Sequence, residues 1–254
     1  MSLHIESQGS GEPLLLIHGW GMHGGMWGQV AEQLALTHRV HLVDLPGHGG
    51  SAACTPYELD NLVQQLSEQF GEPLAVCGWS LGGQVALRWA QLHPEQIKKL
   101  VLVATTPCFV QQDDWSGAMA AETLQDFAAS LMQNHALTLK RFLALQLRGS
   151  ENERELLLDL RARLYANGEP DIKALQGGLD ILRDTDLRGQ LKHLAQPALV
   201  IAGGRDTLTP AAASEYLAQT LPDARFVKIE GAAHAPFLSH PQIFMQHMTS
   251  FLNE

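Results

Sequence analysis

Short apolar runs bounded by glycine, proline and polar residues recur along the chain, at Leu14 to Ile17, Arg39 to Val43, Leu74 to Cys77, Leu100 to Ala104, Ala198 to Ala202 and Arg225 to Ile229. Runs this short and this rich in Leu, Val and Ile read as strands buried on both faces. Between them the apolar positions fall at helical spacing, as in Met26 to Leu36, Leu59 to Phe70 and Leu81 to Leu92. Strands alternating with crossover helices predict an α/β architecture, a mostly parallel central sheet flanked by helices. The alternation stops between Thr106 and Gln196, where helical periodicity continues without a strand pattern. Helices are expected there around Ala118 to Leu131, Ala136 to Leu147, Glu151 to Tyr165 and Asp171 to Leu182, with breaks at Gly149 and at Asn167 to Pro170. Residues 1–105 and 197–254 are therefore expected to form a core, and residues 106–196 a helical cap inserted into it.

Composition narrows the function classes. With 254 residues, 45% of them hydrophobic and 17% charged, the chain can bury a large single core. It holds no apolar stretch near the roughly 18 residues that span a bilayer, and Met1 to Gly11 has neither a basic start nor a long apolar run. A soluble, cytoplasmic protein is expected, with a monomer as the starting assumption. The net charge of −10 disfavours nucleic acid and anionic membranes as partners. Cys54, Cys77 and Cys108 are scattered and odd in number, and the 12 histidines follow no metal-ligand spacing, so neither a disulfide framework, a metal nor a cofactor is implied.

The strand at Leu74 to Cys77 runs into Gly78, Trp79, Ser80, Leu81, Gly82 and Gly83 and then into a helical pattern. This is the strand, sharp turn and helix of a nucleophile elbow, in which glycines two residues either side of the serine leave room for a strained backbone. A serine hydroxyl is a weak nucleophile at neutral pH and needs a base oriented by a carboxylate. Both follow in the chain order this architecture uses, Asp206 just past Ala198 to Ala202 and His234 just past Arg225 to Ile229. Each alone also fits a structural role, Asp206 as a turn or helix-cap aspartate and His234 as a loop histidine. Asp113, Asp114, Asp180, Asp184 and Asp186, in the insertion, are weaker candidates for the acid. The oxyanion of a tetrahedral intermediate needs backbone donors, expected from Leu81 and from Trp20 in the loop after the first apolar run. His18 is expected to brace that loop, and Asp44, Pro46, Gly47, Gly49 and Ser51 to form a structural turn.

On these residues the chain resembles the α/β-hydrolase superfamily over its whole length. More narrowly it resembles the esterases that cleave the methyl ester of pimeloyl-[acyl-carrier protein] in biotin synthesis. The strings that carry the resemblance are HGWGMHGGMW from His18, LVDLPGHG from Leu42, GWSLGG from Gly78 and TTPCF from Thr105 with Asp114 and Trp115 beyond. RFLALQ from Arg141 and AAHAPFLSHP from Ala232 complete them. Trp20, Trp79 and RFLALQ are the more particular to these esterases. The α/β-hydrolase fold is thus expected, with its cap leaving after the sixth strand. The resemblance implies a triad of Ser80, Asp206 and His234, oxyanion and substrate contacts from Trp20 and Leu81, and a cap segment of Phe142, Leu143, Ala144, Leu145 and Gln146 facing the acyl chain, with Trp79 as a further wall. The same cap stripe also suits plain packing of the cap onto the core.

The implied partner, an acyl-carrier protein loaded with a pimeloyl methyl ester, is acidic. From Leu137 to Arg163 the chain has six basic residues against four acidic ones, and Arg141, Arg148 and Arg154 are the expected docking cations. Mixed charges of this kind are equally the pattern of solvated helix faces. A broad short-chain carboxylesterase, a lactonase or a carbon–carbon bond hydrolase on the same scaffold is the alternative, since fold and triad do not fix the substrate.

Overall fold

The computed structural model describes residues 3–150, 152–166 and 168–254. Its seven strands are β1 (Ile5–Gln8), β2 (Glu12–Ile17), β3 (His38–Val43), β4 (Leu74–Trp79), β5 (Ile97–Val103), β6 (Ala198–Gly203) and β7 (Ala224–Ile229). The core helices are α1 (Gly28–Leu34), α2 (Leu59–Ser67) and α3 (Leu81–Leu92). Between β5 and β6 come α4 (Ala121–Gln133), α5 (His135–Leu147), α6 (Glu153–Ala166) and α7 (Ile172–Asp184), and the chain closes with α8 (Ala211–Thr220), α9 (Pro236–Ser239) and α10 (Pro241–Leu252). The expected start of the third insertion helix, Glu151, and the start of the following break, Asn167, lie outside the described residues.

The strands form one sheet in the order β1-β3-β2-β4-β5-β6-β7, parallel except for β1, which runs antiparallel to β3. Alternate residues of the central strands enter opposite cores. Leu15 and Ile17, Leu74 and Val76, and Leu100 and Leu102 face one apolar cluster. Leu14 and Leu16, Cys77 and Trp79, and Val101 and Val103 face the other. Two buried faces explain why these strands read as unbroken apolar runs.

β1 has no such signature. Its sequence IESQ is half exposed, and it is held by backbone pairing along β3, from Ile5 opposite Val43 to Gln8 opposite Val40. The helical insertion leaves after the fifth strand in chain order, not the sixth. Among the described residues a single antiparallel strand, β1, precedes β2 and forms the sheet edge on β3, so the count before the insertion is one strand lower than expected.

Because β3 and β4 lie on opposite sides of β2, the chain reverses its winding direction between β2 and β4. The crevice at the carboxyl ends of such neighbours is where open α/β sheets bind ligands. Among the described residues no helix is long and apolar enough to cross a membrane.

Candidate active site

Ser80 sits between β4 and α3 with φ 56° and ψ −117°, a conformation that costs a non-glycine residue about 1–3 kcal/mol. The surroundings hold it there. Its N–H donates to the Val103 carbonyl (2.9 Å), and its own carbonyl accepts from Gly83 N–H (2.9 Å). A Cβ on Gly82 would stand 2.5 Å from the Ile17 carbonyl oxygen and 2.6 Å from that of His18, and one on Gly78 would run into Gly82 itself. Gly82 thus lets the turn pack against the end of β2, and Gly78 lets the strand close on the first turn of α3.

Asp206, past the end of β6, and His234, past the end of β7, are buried and joined by a 2.7 Å hydrogen bond from His234 Nδ1 to Asp206 Oδ2. The carboxylate is saturated. Oδ1 accepts the backbone N–H groups of Leu208 (2.8 Å) and Thr209 (3.0 Å), while Oδ2 accepts the Thr209 hydroxyl (2.7 Å) besides His234. With Nδ1 committed to Asp206, His234 has only Nε2 left for a second partner. Ser80 and His234 line one cavity; no hydrogen bond closes between them in the structure. Catalytic hydrogen bonds of this kind often tighten only around substrate.

Thr209 was not visible in the sequence as a site residue. Its hydroxyl, besides meeting Asp206, lies 2.9 Å from the Ala104 carbonyl and 3.1 Å from His234 Nδ1. It therefore links the loops that follow β5, β6 and β7. The only advance signal was the Asp-x-x-Thr spacing, which is that of an aspartate capping its own turn.

The loop after β2 is locked by His18, whose Nδ1–H donates to the Gly19 carbonyl (2.8 Å) while Nε2 accepts the Leu45 N–H (2.9 Å). Burial, with nearby His48 adding to it, pushes the His18 pKa down to about 3, so the ring stays neutral and keeps this pattern. Asp44 fixes the neighbouring turns by accepting from Gly24 N–H (2.7 Å) and Gly50 N–H (2.8 Å). Burial opposes its charge, but those two backbone donors prevail and lower its pKa. Leu81, as the first residue of α3, has an N–H without an acceptor inside the helix.

The cavity over Ser80 has a volume of about 70 Å³ and is apolar, walled by Trp20, Phe142 and Leu145 as expected, together with Phe109, Phe127, Leu182 and Leu208. The Trp20 ring meets Phe142 edge-on (4.8 Å, 83°) and Phe127 likewise (5.4 Å, 70°), and its Nε1–H donates to the Leu175 carbonyl of α7 (2.8 Å).

Several expected walls lie elsewhere. Trp79 does not line the cavity: the alternation of β4 turns its ring to the opposite core, against Trp27 and Phe237, where Nε1–H donates to the His234 carbonyl (2.8 Å). The Leu81 side chain is buried in the core, leaving only its backbone near Ser80. On α5, Phe142 and Leu145 are one turn apart and face the cavity, whereas Leu143, Ala144 and Gln146 do not line it, because each residue turns the helix by about 100°. Leu143 packs into the core, and Gln146 is buried with neither side-chain atom hydrogen-bonded. Arg141, Arg148 and Arg154 are exposed on or beside α5 and α6, with no ion pair among the described residues.

The sequence profile of the α/β-hydrolase fold matches residues 12–241. The pimeloyl-[acyl-carrier protein] methyl ester esterase of Nitrosomonas europaea is 45% identical over 244 residues, covering 96% of this chain and 97% of that protein. The enzyme of the same name from Aeromonas hydrophila is 41% identical over 254 residues, covering 99% and 100%. Among solved structures, a hydrolase from Pseudomonas aeruginosa superposes with a TM-score of 0.87 at 30% identity, covering 99% of this chain and 94% of that one. An esterase from Exiguobacterium antarcticum reaches a TM-score of 0.92 at 23% identity, covering 99% and 96%, a likeness of fold. Elbow, sheet order and profile agree, and the chain belongs to the α/β-hydrolase fold family.

Proposed function

We propose that this carboxylesterase hydrolyses the methyl ester of pimeloyl-[acyl-carrier protein], releasing methanol and the free carboxylate in biotin synthesis. The observation that carries the reading is the buried pair His234 and Asp206 beside the strained Ser80 at one apolar cavity. An uncharged ester end suits such walls, and relatives at 41–45% identity carry that activity in their names.

In the proposed mechanism Ser80 Oγ attacks the ester carbonyl while its proton passes to His234 Nε2. Asp206 holds the ring in the tautomer that leaves Nε2 free and balances the imidazolium. The carbonyl oxygen becomes an oxyanion between the backbone N–H groups of Trp20 and Leu81. Collapse expels methoxide, which takes the proton from His234 and leaves as methanol. Water, deprotonated by the same nitrogen, then attacks the acyl-enzyme, and the acid departs as Ser80 regains its proton. Residues 106–196 act as the cap that closes over the acyl chain. Arg141, Arg148 and Arg154, exposed and unpaired, attract the acidic carrier and raise the encounter rate. We place the enzyme in the cytoplasm as a monomer, a setting in which its three buried, free cysteines stay reduced.

The small size of the cavity favours a second reading, a broad short-chain carboxylesterase. Purified protein assayed on methyl pimeloyl-carrier protein, on p-nitrophenyl acetate and butyrate, and on a vinylogous diketone separates the readings. Clear preference in kcat/KM for the carrier-bound ester is expected, and preference for the short esters or the diketone overturns the proposal.

A further inference from the structure

A second cavity lies next to the one over Ser80. It runs between α4 and α7, has a volume of about 320 Å³, and shares two walls, Leu124 and Leu179, with the smaller cavity. The partition between them is therefore one side chain thick. Its floor is apolar, with Ala128 and Leu131 beside the shared leucines, and its rim carries exposed Met132 together with Gln125, Gln176, Asp180 and Arg183.

Size makes the adjacency matter. The cavity over Ser80, at about 70 Å³, has less than a quarter of the volume of the α4–α7 groove, at about 320 Å³. A carrier-bound methyl ester carries a seven-carbon acyl chain and continues as a thioester into a long arm containing amides, so most of it lies well beyond the reacting ester. Once the ester sits at Ser80, the remainder must leave through neighbouring space. The adjoining α4–α7 groove is several times larger and begins where the first cavity ends.

The chemistry of the rim fits the same occupant. Arg183 is paired with Asp180 (2.6 Å) and Asp184 (2.7 Å), so the mouth offers no uncompensated cation for a phosphate or carboxylate. Gln125 instead offers an amide donor and acceptor to neutral amides, and Gln176, whose Nε2 donates to Met132 Sδ, offers its carbonyl. The groove's position is fixed by the site itself, since Phe127 of α4 packs on the Trp20 ring and Leu175 of α7 accepts its Nε1–H.

We propose that the α4–α7 groove is the second leg of the substrate site and takes the distal acyl chain and the amide-bearing arm of the carrier-bound ester. This inference rests on the reading that the substrate is carrier-linked. It assigns long-substrate selectivity to a groove lined by none of the reacting groups.

The test compares kcat/KM for methyl pimeloyl-carrier protein with kcat/KM for p-nitrophenyl acetate in the wild type and in two variants that fill the groove, Ala128→Trp and the milder Ala128→Leu, with Tm recorded for each. Both variants are expected to lower the ratio of the two values, Ala128→Trp by tenfold or more and Ala128→Leu by a few-fold, mainly through KM for the carrier-bound ester. An unchanged ratio in both variants, with the wild type still preferring the carrier-bound ester, overturns the groove assignment and leaves the function standing. No preference in the wild type removes the function reading and the groove assignment together.

Discussion

The sheet edge and the helical insertion solve different problems with different amounts of order. At the sheet edge each functional group is fixed several times over: Asp206 accepts four hydrogen bonds, His18 uses both ring nitrogens, and Ser80 is held through its N–H and its carbonyl. The insertion turns more apolar surface to solvent, with Leu158 61% and Met132 59% exposed, and its candidate binding surface is made of apolar side chains rather than hydrogen-bonded polar groups. Preorganised dipoles are what a charge-developing transition state demands, whereas a surface that admits a flexible chain needs only shape and apolarity. Rate should therefore fail on changes at the sheet edge, and selectivity on changes in the insertion.

The largest break in that contrast is Ser80→Ala. It should lower kcat by at least about 10⁴-fold on every ester, as loss of a nucleophile does, while Tm stays within a few degrees of wild type. Residual turnover near the wild-type value would end the serine mechanism.

Next comes a pH effect on stability to which the buried histidines of the sheet edge contribute most, with His38 and His41 of β3, also lowered by burial, acting in the same direction. Folded His18 titrates only at about 3, because burial and His48 disfavour its cation, whereas an unfolded histidine takes up its proton near about 6.5. Stability from this source is complete above the unfolded value and is lost as pH falls toward the folded one, by up to about 1.4 kcal/mol per pH unit. Buried His48, also lowered by burial, acts in the same direction. Urea midpoints measured from pH 7 to pH 4 should fall accordingly, and a His18→Asn variant should show a shallower slope.

Thr209→Val keeps the shape of the side chain and removes one donor from Asp206. A loss in kcat/KM of about tenfold is expected, on the scale of one hydrogen bond to a charged group. Thr209→Ser, which keeps the hydroxyl, should restore the activity, and a Thr209→Val variant with wild-type kcat/KM, or a Thr209→Ser variant as slow as Thr209→Val, would reduce Thr209 to packing.

The smallest effect belongs to the insertion. Reversing Arg141, Arg148 and Arg154 to Glu should lower kcat/KM for the carrier-bound ester several-fold at low ionic strength and leave p-nitrophenyl acetate unaffected. The difference should fade as salt shortens the screening length to well below about 10 Å. If the triple variant matches wild type on the carrier-bound ester at low salt, docking lies elsewhere.

What could be read in advance follows the same division. The gathering of Ser80, Asp206 and His234 at one sheet edge is legible because each stands just past an apolar strand, and strands of a parallel sheet end at one edge. β1 is not, since an edge strand held by backbone pairing needs no apolar pattern. Trp79 was misplaced although its face was recoverable: it follows Ala75 and Cys77 at every second position, all turned to the same core. Phe142 and Leu145 could not be told from Leu143 and Gln146 by sequence, because the rotation of α5 about its axis is set by α4 and α6 packing on either side. Thr209 escaped notice because its importance lies in joining three loops that are distant along the chain.

One bond described above binds the two regions into a single device. The indole of Trp20 is pinned to the Leu175 carbonyl in the insertion, while the backbone of the same residue belongs to the loop proposed to cradle the oxyanion. A residue anchored at both ends transmits whatever α7 does. Trimming the insertion to widen the range of accepted esters would remove that anchor, and under the proposed mechanism the result would be a slow generalist rather than a fast one.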